Sequence, residues 1–103
     1  MTIITSQHFL DDEIIAQKIS ARDFTVFVSP EFEVNGIAYR VLLDGNHSFA
    51  AALEAGVEPE IIEQSATDND AIGLLDAGDI ETFLEVVYMD GEYVNALTRK
   101  TVW

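Results

Sequence analysis

The chain has 103 residues, 49% of them hydrophobic, enough for one domain to bury a core, and no cysteine, which excludes disulfides, thiolate metal ligands and cysteine nucleophiles together. Five Lys and Arg face 19 Asp and Glu, a formal net charge of -14. Affinity for nucleic-acid backbones and anionic membranes comes from cationic side chains, so direct binding to either is not expected.

Met1–Leu10 contains His8 and several polar residues and lacks the basic start and long apolar stretch of a secretory signal. No apolar run approaches the roughly 20 residues of a membrane-spanning helix, so a soluble, cytoplasmic protein is expected. Asp11 to Ile19 carries Ile14, Ile15 and Ile19 on one side, which predicts a short amphipathic helix. Phe24 to Val28 is β-branched and aromatic and reads as a strand, interrupted by Pro30. Phe32–Val34 and Ile37–Leu43 flank Asn35-Gly36, the preferred pair for a two-residue type I′ turn, and predict a β-hairpin.

The hairpin's second strand runs into Asp44-Gly45, where the pattern becomes helical. Asp44 to Ser48 offer caps, Phe49, Ala52 and Leu53 suit a core face, and Gly56 is placed to end the helix in a left-handed conformation. Val57 to Glu63 reads as a return to the sheet, with Pro59 favouring an edge or the strand's start. Asp68 to Ala77 reads as a short helix, and a second helix capped by Asp79 is expected to reach about Tyr88. The alternative for its end is a hairpin joining Val86–Tyr88 to Tyr93-Val94 through Met89–Glu92. Trp103 is expected to dock on a hydrophobic patch. With no repeat or linker, residues 1–103 read as a single α+β domain, a mixed sheet with a β-hairpin and flanking helices.

A strand that ends in a small polar turn and opens into a helix presents unpaired N–H groups and the positive end of the helix dipole, a setting that suits an anion. Here the turn is Asp44-Gly45-Asn46-His47-Ser48. Gly45 would let backbone approach a ligand, and Asn46, His47 and Ser48 could donate to it. His47 is a candidate acid or base, since an imidazole changes charge near neutral pH, or a simple cap. Asp44 could orient His47, coordinate Mg²⁺ or cap the helix.

Leu43 to Ala51 resembles the "DGHHR-x-x-A" pattern of ParB-like nuclease and kinase domains in the ParB/sulfiredoxin superfamily, followed by an "A-x-x-x-G" helix end at Gly56. The likeness extends in outline over about Phe24 to Ser65. It implies a small ParB/sulfiredoxin-like fold whose Gly45, Asn46, His47 and Ser48 contact nucleotide phosphates, with Asp44 and His47 as candidate catalytic residues. The family's phosphate-binding Arg falls on Ser48, which leaves anion binding to N–H groups and His47. Sulfiredoxins carry their catalytic Cys where this chain has Asn46, so that chemistry is excluded.

Asp68-Asn69-Asp70 begins like a calcium loop, but Ile72 holds a ligand position and no glutamate stands at the twelfth, so the pattern fails. No Walker motif, dinucleotide fingerprint or serine-hydrolase elbow occurs. From Val41 to Thr98 every full charge is negative. That interval supports a second function, a non-enzymatic acidic protein (an inhibitor, antitoxin or DNA mimic) that binds a basic protein partner.

Overall fold

The structure, a computed structural model, describes residues 2–103. Its elements are β1 (Thr2–Thr5), α1 (Asp12–Ala21), β2 (Thr25–Val28), β3 (Phe32–Val34), β4 (Ile37–Asp44), α2 (Asn46–Ala55), β5 (Glu60–Glu63), α3 (Ile72–Asp76), α4 (Ile80–Val86) and β6 (Val94–Asn95). They form an α+β fold around a mixed six-stranded sheet of order β5-β2-β4-β1-β6, with β3 also paired to β4.

The hairpin forms at Asn35-Gly36, and both residues take the positive φ that a type I′ turn demands, 52° and 79°. Its second strand, β4, is the centre of the sheet. Along one edge it pairs with β3 through Ile37 to Tyr39 and with β2 through Leu42 and Asp44, a pairing whose register shifts between Phe27 and Val28; along the other it runs parallel to β1. Pro30, which has no N–H, lies at the corner between β2 and β3. Buried Ser29 keeps that corner attached: its N–H donates to the Val41 carbonyl, and its Oγ accepts from the Val41 N–H, each at 2.9 Å.

Alternation along β4 divides the core. Tyr39 and Val41 join Ile4, Phe32, Ile72, Phe83 and Tyr93 in one cluster, against which α3 and α4 residues pack. Leu42 joins Val26, Val28, Phe49 and Ala96 in the other, which includes α2. β5 is an edge strand parallel to β2, as Pro59 suggested, and both of its isoleucines remain exposed.

Several sequence expectations change. β1, unassigned from the sequence, pairs antiparallel with β6, which overlaps the Tyr93-Val94 strand of the alternative hairpin, through Ile4–Asn95 and Thr5–Val94. α4 ends at Val86 rather than Tyr88, and no strand forms from Val86 to Tyr88, because Val94 is taken by β1. The intervening loop is tied instead to the segment after β1. Asp90 and Gly91 donate to the Ser6 carbonyl, and Asp90 Oδ1 accepts from the His8 N–H. His8, which has no evident partner in sequence, places Nε2 2.6 Å from the Glu92 carbonyl oxygen and donates to it. Asp68 and Asn69 each accept a local backbone N–H through one side-chain oxygen. Among the described residues no helix is long and apolar enough to cross a membrane.

Candidate functional site

The predicted turn sits where β4 leaves the middle of the sheet and passes directly into α2. The change of direction is made by Gly45, with φ at 88°. A Cβ there would lie 2.8 Å from the Thr25 carbonyl oxygen and 3.0 Å from Val26 Cα. The close approach that requires glycine here is to the β2 backbone.

Gly45 is also the N-cap of α2, and it has no side chain to cap with. Asp44, expected as a cap, instead accepts from the adjacent Gly45 N–H at 2.7 Å. The Gly45 carbonyl accepts the first helical bond, from Phe49 N–H. Among the described residues, the N–H groups of Asn46, His47 and Ser48 have no hydrogen-bond acceptor. At the other end Gly56 closes the helix with φ at 69°, and Val57 N–H reaches back to Ala52, as expected.

The side chains of the turn are mostly engaged with the protein itself. Asn46 is buried, and its Oδ1 accepts from Thr5 Oγ at 2.7 Å, locking the start of α2 to β1. That bond occupies the amide oxygen, an acceptor, and leaves the Nδ2 group as the side chain's donor. His47 Nε2 accepts from the Asp11 N–H at 3.0 Å, so the ring's proton resides on Nδ1 and the imidazole joins α2 to the N-cap of α1. Asp44 and His47 share no hydrogen bond among the described residues. Nor do three His, Cys, Asp or Glu gather there as a metal-binding set. Ser48 is buried.

Above the turn is a hollow of about 190 Å³ lined by Asp44 to Ser48 together with Gln7, Lys18 and Met89. Lys18 is what the sequence reading missed. It comes from α1, which packs against α2, and its spacing along the chain carries no sign of this proximity. Its Nζ lies 2.9 Å from Asp23 Oδ2. That bond, seconded by the Thr25 N–H and helped by the Ser48 hydroxyl, holds the Asp23 carboxyl below the usual carboxylate range. The hollow is thus lined by a lysine paired with Asp23 and by the three residues whose N–H groups lack an acceptor, at the positive end of a helix.

No family model matches the chain, and no curated protein or solved structure is significantly similar to it.

Proposed function

We propose that the hollow at the start of α2 binds the phosphate group of a small anionic ligand, and that the chain is a divergent relative of the ParB/sulfiredoxin superfamily retaining this site. The observation that carries the reading is the uncapped first turn of α2, whose three free N–H groups open beside Lys18. The likeness of Leu43–Gly56 to the family's phosphate-contacting turn supports it. Lys18, reaching in from α1, supplies the charge that the family's Arg would bring from the position of Ser48.

At about 190 Å³ the hollow suits a phosphate rather than a whole nucleotide, since small-molecule pockets span roughly 300–1,000 Å³. A nucleotide's sugar and base would therefore lie outside it. The proposal is one of binding rather than catalysis, because His47 Nε2 and the Asp44 carboxylate both accept from backbone N–H groups.

Thermal-shift and calorimetric titrations with inorganic phosphate, CTP, ATP and ADP, with and without Mg²⁺, test the reading. Phosphate should compete with any nucleotide that binds. Lys18→Ala should weaken binding about tenfold, the scale of one charge-assisted hydrogen bond, and Asp23→Asn should tighten it by releasing Lys18. Silence from all four ligands overturns the proposal.

A further inference from the structure

A second face, around α4, combines aromatic rings with an acidic rim and takes no part in the α2 hollow. One depression of about 700 Å³ lies between the β3–β4 hairpin and α4. Another, of about 450 Å³, lies between α4 and Tyr93, and the two share Glu81, Leu84 and Trp103. Trp103 meets Tyr39 edge-on, with centroids 5.0 Å apart at 88°, and lies 6.0 Å from Tyr93. It is held by these rings yet remains 43% exposed. Aromatic faces that are fixed and half open attract cations, and such anchors carry a large share of the energy at protein interfaces.

The charge around those rings has one sign. Glu33, Glu81 and Glu85 line the depressions, and no Lys or Arg does. Among the described residues the ion pairs are Lys18–Asp23 and Arg40–Glu63, so all three glutamates lack a cationic partner. Val34, Ile37 and Leu84 supply an apolar floor between the rings and the acids.

We propose that this face docks a basic segment of a partner protein in which Lys or Arg alternates with aliphatic residues. The cationic group lies over Trp103 and pairs with Glu81 and Glu85, and its aliphatic neighbours fill the depression against Val34 and Ile37. A second copy of the chain is the poorer occupant, because two acidic rims would face each other in a molecule of net charge -14. The proposal is independent of phosphate binding at α2, which uses different residues.

A displayed peptide library selected on the immobilised full chain at low salt should return sequences enriched in Lys and Arg beside aliphatic residues. Since Trp103 is the one tryptophan, a synthesised winner should change its fluorescence saturably, and affinity should fall about tenfold between about 0.05 and 0.5 M salt. The double variant Glu81→Gln/Glu85→Gln changes only exposed side chains and should weaken the peptide at least about threefold. Glu58→Gln/Glu60→Gln, with the same change in net charge but outside the face, should leave binding unaltered. Trp103→Ala should weaken it about tenfold or more. Recovery of no peptide, of peptides without cationic bias, or equal losses in the two glutamate double variants overturns the proposal. So does self-association of the protein through this face in sedimentation.

Discussion

Gly45 bears two constraints at once, a positive φ and contact with the β2 backbone. Gly45→Ala adds a methyl where Thr25 and Val26 cannot withdraw without disturbing the sheet. It should cost about 3 kcal/mol or more, read as a lower urea midpoint with unchanged slope. Tyr93 offers a different test. Its hydroxyl donates to the Leu84 carbonyl at 2.6 Å, and burial pushes its pKa up to about 12 from the ordinary 10.0. The folded state therefore keeps this proton longer than the unfolded chain. Stability should be intact below pH ~10 and fall as the pH rises toward ~12, by about 3 kcal/mol from this group. Tyr93→Phe should flatten that alkaline loss in urea midpoints measured against pH, while giving up about 1 kcal/mol at neutral pH for the missing hydrogen bond. Of the residues at the α2 turn, the sequence located all five, but their directions depended on neighbours distant in the chain. Asn46 turns to Thr5, 41 positions away, and His47 to Asp11, 36 away.

At the scale of elements, the sequence was most legible where local chemistry suffices. Asn35-Gly36 makes its turn through its own φ preferences, Gly56 ends α2, and Asp79 caps α4 by accepting from Thr82 N–H. α4 has only seven residues, too few to persist without packing and a cap. Asp79→Ala should therefore destabilise the domain by about 1 kcal/mol, with amide exchange in residues 80–86 accelerating more than in β4. β1 was not legible, and β6 only as a strand of the alternative hairpin with another partner, because they hold four and two residues and are ordered by pairing across the chain. The same cause explains the end of α4: the residues after it bind the Ser6–His8 segment, whose proximity no local pattern encodes.

For the molecule as a whole, a formal charge of -14 at neutral pH makes self-repulsion a general destabilising term. The two ion pairs among the described residues offset little of it, being at least partly solvated. Added salt should therefore raise the melting temperature at pH 7, an effect readable by calorimetry with sodium chloride. A flat or falling response would mean that the ion pairs outweigh the repulsion. Acidification works through other groups as well. Asp23, held down by Lys18, and Asp90, held down by the His8 N–H, contribute stability above the ordinary carboxylate range that is lost as the pH falls through their lowered values.

The sequence by itself determined the α+β class, the hairpin, the strand-to-helix turn at Asp44–Ser48 and the acidic surface, because each follows from residue type, short-range spacing or composition. Only the tertiary structure decided that Gly45 is pressed against β2, that Asn46 and His47 serve as internal ties, and that Lys18 enters the hollow at α2. It alone brought Trp103 beside Tyr39 and Tyr93 within an acidic rim. Those outcomes depend on which distant surfaces meet when the two faces of one sheet are covered, and packing, rather than local preference, sets that.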